Sequence, residues 1–147
     1  MQKILSLLTF FFVVSASIFA QESEVYNPSK KAIRGYDPVA YFTEGKPTQG
    51  NTQFIYFWKE SDWYFVSAEN LQLFKKNPEK YAPQYGGYCA YGMSNGYKAP
   101  TEPDAFTIVD GKLYLNYNKD VRNLWNKKQS DYVKAADKNW PGVKNKG

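Results

Sequence analysis

The sequence contains no histidine and a single cysteine, Cys89. Without histidine, a Ser-His-Asp triad, a Cys-His catalytic pair and an imidazole ligand for a metal ion are all excluded. With one cysteine, a disulfide within the chain is excluded, and so is a site of four thiolates for zinc or an iron–sulfur cluster. These absences exclude more classes of function than any motif in the sequence supports.

Arginine is also scarce, although the 147-residue chain carries 19 Lys and Arg against 14 Asp and Glu, a net charge of +5. A nucleic-acid-binding protein usually concentrates arginine and lysine in one stripe. Here arginine occurs only at Arg34 and Arg122, and lysines spread through the last third of the chain, where a solvated helix face accounts for them. We therefore predict no nucleic-acid partner.

The first twenty residues have the pattern of a secretory signal peptide. A short basic start precedes an apolar run from Ile4 to Val14, and small residues follow up to Ala20. The run is shorter than the roughly 20 residues of a membrane-spanning helix, and an uncleaved anchor is the alternative. We expect a secreted or periplasmic protein with no membrane span after cleavage. The predicted organisation is a signal peptide over 1–20, a flexible leader over 21–31, one domain over 32–141 and a tail over 142–147.

Strand signals dominate the middle of the domain. Thr52–Trp58 and Trp63–Ser67 are rich in aromatic and β-branched residues, and the four polar residues between them predict a hairpin. A second hairpin is predicted at Asp110-Gly111, because a type I′ turn needs positive φ at both central residues. Helices are predicted after Ser67 and after Asn118, since both residues are good N-caps.

The last predicted helix runs from Asn118 until Pro141-Gly142 ends it. Hairpins alternating with helices predict an α+β fold, with a small antiparallel sheet built from hairpins and helices packed on it in a single domain.

Chemistry is most plausible in the segment from Tyr85 to Met93. Cys89 and Met93 lie four residues apart, and a thiolate with a thioether suits a soft cation such as Cu(I). These two residues are the candidate copper site, in a glycine-rich loop rather than a helical turn. A buried, inert cysteine is the alternative. The nearest basic residues are Lys80 and Lys98, so little in the sequence activates the thiol, and we predict no catalytic residue.

The chain is also rich in aromatic residues, with 13 Tyr, 10 Phe and 4 Trp. Tyrosines around glycines can form the wall of a shallow pocket, because each has an apolar ring and a polar tip. The alternative function is therefore a module that binds an aromatic-stacking ligand or a protein partner without metal. Its predicted binding residues are Tyr85, Gly86, Gly87, Tyr88 and Tyr91.

Several segments, in order along the chain, resemble the YHS-domain family, and the later ones are similar to its long, secreted branch. They are Gly35–Phe42, Trp63–Asn70, Asn77–Ala90, Asp110–Tyr117 and Asn139–Pro141.

The resemblance implies an association with metals, because YHS-like domains occur beside heavy-metal transport and sensing proteins. The cysteines of the short, metal-associated form would fall at Ala40 and within 66–70, where this chain has none. The resemblance thus favours a secreted binding protein for a soft metal ion at Cys89, with a small ligand or a protein partner as the other possibilities.

Overall fold

A computed structural model describes residues 22–146, which form four β-strands and six α-helices in an α+β fold. The α+β class predicted from the sequence is confirmed. The strands form two separate two-stranded antiparallel sheets, one for each hairpin. In chain order the elements are α1 Ala40–Thr43, β1 Asn51–Trp58, β2 Ser61–Phe65, α2 Ala68–Lys76, α3 Pro78–Tyr81, α4 Ala90–Ser94, β3 Phe106–Val109, β4 Lys112–Leu115, α5 Lys119–Asn126 and α6 Gln129–Val143.

The first hairpin has a tighter turn than the sequence predicts. Lys59 and Glu60 alone form the turn, with φ of 49° and 56°, and Trp58 pairs with Ser61. The predicted four-residue connection is wrong, because Ser61 and Asp62 belong to β2. Ser61 is buried in the strand and accepts a hydrogen bond of 2.7 Å from Asn27 Nδ2. In the sequence, Ser61 looks like part of a polar loop. In the structure, a hydrogen bond from the distant Asn27 satisfies its buried hydroxyl.

The second hairpin agrees with the prediction. Asp110 and Gly111 have φ of 51° and 71° and connect β3 to β4. Side chains alternate along a strand, and in β4 the alternation separates two clusters of buried residues. Leu113 and Leu115 belong to one cluster, whereas Tyr114 belongs to the other. The strand therefore stands between the two halves of the interior.

The first core cluster contains the two leucines of β4, two aromatic residues of β2, Phe74 of α2 and three residues that precede α1 by several positions. Its members are Val25, Ala32, Ile33, Val39, Tyr41, Trp63, Phe65, Phe74, Tyr81, Ala82, Leu113 and Leu115. The second core cluster joins α4, α5 and α6 to β4. Its members are Tyr85, Ala90, Met93, Tyr114, Trp125 and Ala136.

Both predicted helix caps are confirmed. Ser67 Oγ accepts a hydrogen bond of 3.1 Å from the Asn70 amide at the start of α2. Asn118 Oδ1 accepts one of 2.9 Å from the Val121 amide at the start of α5. Each cap satisfies a backbone N–H that has no acceptor within its helix.

The single final helix predicted from the sequence is wrong, because the chain breaks at Lys128 (φ −143°, ψ 45°) into α5 and α6. The break allows Trp125 of α5 and Ala136 of α6 to enter the same second core cluster. At the other end, α6 continues through Pro141 to Val143. Proline removes one backbone donor, and here it does not end the helix.

Asp37 connects three segments beside the first core cluster. The carboxylate is fully buried, and its Oδ1 accepts hydrogen bonds from the Val39 and Ala40 amides at 2.8 and 3.2 Å. Its Oδ2 accepts from the Val66 amide at 2.9 Å and from Asn70 Nδ2 at 2.8 Å. The residue therefore joins the turn before α1 to the end of β2 and to α2.

The residues predicted as a flexible leader pack into the domain from Glu22 onward, which corrects that prediction. Val25 is 1% exposed and lies in the first core cluster. The Tyr26 amide donates to the Gly86 carbonyl at 2.9 Å, and the Tyr26 carbonyl accepts from the Ile33 amide at 2.8 Å. The predicted signal peptide lies outside the described residues. Within residues 22–146, no helix is both long enough and apolar enough to cross a membrane.

Candidate functional site

The two glycines of the predicted site, Gly86 and Gly87, allow the N-terminal segment (residues 22–33) to approach closely. Gly86 and Gly87 have φ of 62° and 86°, a region that favours glycine. A Cβ atom at Gly86 would lie 1.8 Å from the Glu24 carbonyl oxygen, and one at Gly87 would lie 2.5 Å from Ile33 Cγ2. Both glycines therefore contact other parts of the protein, and a role in ligand binding stays a prediction.

Cys89 is the N-cap of α4, so the predicted glycine loop is in fact a short helix from Ala90 to Ser94. The sulfur accepts hydrogen bonds from the Gly92 amide at 3.4 Å and the Tyr117 amide at 3.3 Å. The thiol donates to Asn116 Oδ1 at 3.5 Å. Burial raises the pKa of Cys89, although the backbone amides oppose this. The side chain is therefore a neutral thiol that is 2% exposed and takes part in three hydrogen bonds within the protein.

Met93 follows Cys89 by one helical turn, and its amide donates to the Cys89 carbonyl at 2.9 Å. Its side chain is fully buried in the second core cluster. A copper ion at Cys89 would have to displace the contacts of the thiol and find donors in an apolar interior. No group of three or more His, Cys, Asp or Glu residues within 22–146 could hold a metal ion. These surroundings fit a structural thiol better than an exchangeable copper site, and copper binding stays a prediction.

Asn116 is a central residue that the sequence does not reveal. It follows β4 directly and is fully buried, and its Oδ1 accepts a hydrogen bond of 3.0 Å from the Tyr91 amide beside the contact with Cys89. Its Nδ2 has no hydrogen-bond partner among the described residues. An asparagine after a strand is an ordinary loop signal, so nothing in the sequence distinguishes this one.

The three predicted tyrosines point to different parts of the molecule. The Tyr85 hydroxyl donates to Asp137 Oδ1 at 2.8 Å, and Tyr85 belongs to the second core cluster. Burial raises the pKa of Tyr85, and the neighbouring Asp137 carboxylate raises it further. The Tyr91 ring packs edge-on against Tyr132 at 5.3 Å. Only Tyr88 turns toward the N-terminal segment. The predicted ligand-binding set is therefore not assembled in one place.

Tyr88 instead lines a cleft together with residues of the predicted flexible leader. The cleft has a volume of about 420 Å³. We call it the tyrosine cleft. Its walls include Glu22, Tyr26, Asn27, Tyr88, Lys98 and Pro100. The rings of Tyr26 and Tyr88 lie 5.6 Å apart at 55°. Tyr26 was missed because its partner comes from a distant part of the chain.

The polar groups of the tyrosine cleft hold the N-terminal segment in place. The Tyr88 hydroxyl donates to the Ser23 carbonyl at 2.8 Å, and burial raises the pKa of Tyr88 to about 12. Lys98 Nζ lies 5.2 Å from the centroid of the Tyr88 ring. The same ammonium donates to the carbonyls of Glu22, Ser23 and Lys146 at 3.2, 3.2 and 2.9 Å. Burial lowers the pKa of Lys98.

Comparison with protein-family models, with curated proteins and with solved structures finds no match to this chain. The resemblance to the YHS-domain family stays a prediction.

Proposed function

We propose that this protein binds a small, neutral, ring-shaped ligand of the carbohydrate class in the tyrosine cleft. The observation that carries the proposal is the half-buried Tyr26 ring, packed against the buried Tyr88 ring in the wall of a cleft of about 420 Å³. Small-molecule sites are clefts of about 300–1,000 Å³ with mostly apolar walls and a few polar groups. The proposal refines the non-metal alternative, with Tyr88 retained and Tyr26 added.

A sugar ring suits these walls because it has an apolar face of C–H groups and a rim of hydroxyls. Tyrosine offers a large rigid ring for the apolar face. Glu22 and Asn27 line the same cleft, and a carboxylate such as that of Glu22 can accept hydrogen bonds from hydroxyls.

An anionic ligand is not expected, because the cation in the wall is already occupied. An ammonium group has three donors, and the Lys98 ammonium contacts three backbone carbonyls. An anion would have to compete with these carbonyls.

A second cleft, of about 380 Å³, is less suitable for such a ligand. It shares Glu22 and Ser23 with the tyrosine cleft and is lined by charged and polar side chains. Lys59 and Glu24 in its wall form an ion pair of 2.9 Å. An apolar ring gains little from contact with hydrated charges, so the tyrosine cleft is the better site.

The test is a titration of the purified chain with a panel of neutral mono- and oligosaccharides, followed by NMR and calorimetry. We expect changes in the NMR chemical shifts of Tyr26 and Tyr88 when the sugar binds. We also expect a loss of affinity of about tenfold in Tyr26→Ala. Tyr117→Ala is the matched control, because Tyr117 is half-exposed and does not line the cleft. Binding by the control should equal that of the unchanged chain.

The same preparation separates this proposal from copper binding. Carbohydrate binding is expected to persist in Cys89→Ser. About one equivalent of copper that is lost in Cys89→Ser, together with no affinity for any sugar in the panel, would contradict the proposal and support the sulfur site. Equal losses in Tyr26→Ala and Tyr117→Ala would also contradict it.

A further inference from the structure

We propose that the outer edge of β1 is a self-association surface, on which β1 of a second copy of this chain adds as an antiparallel strand. The sheet of the first hairpin has two strands, and within residues 22–146 no third strand pairs with β1. An unpaired strand edge presents N–H and C=O groups that can pair with another chain. The edge is therefore open to a partner from outside.

The register of the hairpin determines which backbone groups face outward. Trp58 and Ser61 flank the two-residue turn, so they form a hydrogen-bonded pair. Hydrogen-bonded and non-hydrogen-bonded pairs alternate in an antiparallel ladder. Phe57 opposite Asp62 and Ile55 opposite Tyr64 are then the non-hydrogen-bonded pairs. Their N–H and C=O groups point to the outer edge.

The same two residues carry the exposed apolar side chains of β1. Phe57 is 67% exposed and Ile55 is 40% exposed. The residues between and beside them face the interior, where Tyr56 and Trp58 pack on Phe74 at 6.3 and 5.6 Å. A strand that pairs with this edge would therefore also cover apolar surface that now contacts water.

The charge pattern favours a second copy as the partner. β1 has no charged side chain from Asn51 to Trp58, whereas the chain as a whole has a net charge of +5. Natural edge strands are commonly protected by lysine or proline, and this one has neither. Two like-charged chains repel over most of their surfaces and meet with least repulsion at a neutral strand.

A two-fold axis makes the neutral strand complementary to itself. With the axis at Tyr56, Ile55 of one copy lies opposite Phe57 of the other, and the reverse. Both are residues with outward N–H and C=O groups, so each pair can exchange two hydrogen bonds. Apolar side chains then face apolar side chains across the new ladder.

The first experiment is sedimentation velocity on the purified chain over a range of concentrations. We expect a monomer that converts to a dimer as concentration rises. Phe57→Lys and Ile55→Lys should each weaken the association by at least about tenfold, because each puts a lysine opposite an apolar side chain and brings the two new lysines into diagonal positions across the ladder. Ile108→Lys is the matched control, since Ile108 is 37% exposed on the other hairpin, and it should dimerise as the unchanged chain does. Added salt should strengthen the dimer by screening the net charge.

Residue-level hydrogen exchange then tests the pairing itself. The amides of Ile55 and Phe57 should exchange quickly in the monomer and slowly in the dimer. A monomer at about 1 mM would overturn the proposal, and so would a dimer in which these amides stay unprotected. Equal weakening by Ile108→Lys would overturn it as well, as would a chain that stays monomeric and accepts only an added extended peptide at this edge. If Phe57→Lys fails to fold by circular dichroism, Ile55→Lys and the exchange data decide.

Discussion

Asp37 and Asn116 are both fully buried polar side chains, and the protein satisfies them to different degrees. Four N–H donors surround the Asp37 carboxylate. Asn116 Oδ1 accepts hydrogen bonds from the Tyr91 amide and the Cys89 thiol, but Asn116 Nδ2 has no hydrogen-bond partner among the described residues. A buried polar group stabilises a fold only when its bonding capacity is used, and an unused donor costs about 1–3 kcal/mol.

The two residues also differ in what holds their surroundings together. Asp37 joins a turn, the end of β2 and α2 through short bonds to a carboxylate. Asn116 meets α4 through one backbone amide and a long contact with a thiol. Bonds to a charged group are roughly twice as strong as neutral ones. We therefore expect the region of Cys89 and Asn116 to open before the region of Asp37.

The largest effect is expected for Asp37→Ala, which would break the stronger side of the comparison. The substitution leaves four buried donors without their acceptor and should lower the free energy of unfolding by about 3–5 kcal/mol. Urea denaturation followed by tryptophan fluorescence measures it. Asp120→Ala, at an exposed position in the first turn of α5, is the control and should cost less than about 1 kcal/mol. Equal costs would contradict the role of Asp37.

Asn116→Ala should cost less than Asp37→Ala, about 1–2 kcal/mol in the same assay. The change removes the acceptor of the Tyr91 amide, but it also removes the unpartnered Nδ2. The two consequences oppose each other. A loss as large as that of Asp37→Ala would show that the two buried groups are equally important, and the comparison would fail.

Cys89→Ala tests the weakest part of the second region. The Gly92 and Tyr117 amides would lose their sulfur acceptor, and we expect a cost of about 1 kcal/mol in the free energy of unfolding. In the unchanged chain, a thiol reagent should modify Cys89 only at the rate of opening. Fast modification under native conditions would contradict the buried, neutral thiol.

The last effect is confined to alkaline pH. Burial holds the Tyr88 pKa at about 12, above its usual 10.0, so the stability from the neutral phenol is complete below pH 10 and is lost as pH rises toward 12. The raised pKa of Cys89 adds a loss that begins near pH 9.0. Tyr88→Phe should therefore lose stability less steeply between pH 10 and 12. Tyr117→Phe is the control, and its pH profile should match that of the unchanged chain.

Features that depend on neighbouring residues could be predicted from the sequence. The turn at Asp110-Gly111 needs positive φ, and the caps at Ser67 and Asn118 act on amides three residues away. In each case the interaction lies within a few residues, so composition and spacing contain the necessary information.

Features of the candidate site could be predicted only in part. Cys89 was recognised as the unusual residue of its segment, and a buried thiol was one of the alternatives. Its acceptor role depends on Tyr117 and Asn116, which come from the end of β4. The tyrosine cleft combines Tyr88 with Tyr26, which lies in the predicted flexible leader.

The sequence by itself determined the α+β class, the two hairpins and the starts of α2 and α5, because turn and cap chemistry acts locally. Tertiary structure alone decided the two-residue first turn, the break between α5 and α6, and the partners of Cys89. Ser61 lies in a strand because Asn27 reaches it from the N-terminal segment. Which distant groups meet depends on how the two core clusters pack around β4, and no pattern of neighbouring residues encodes that.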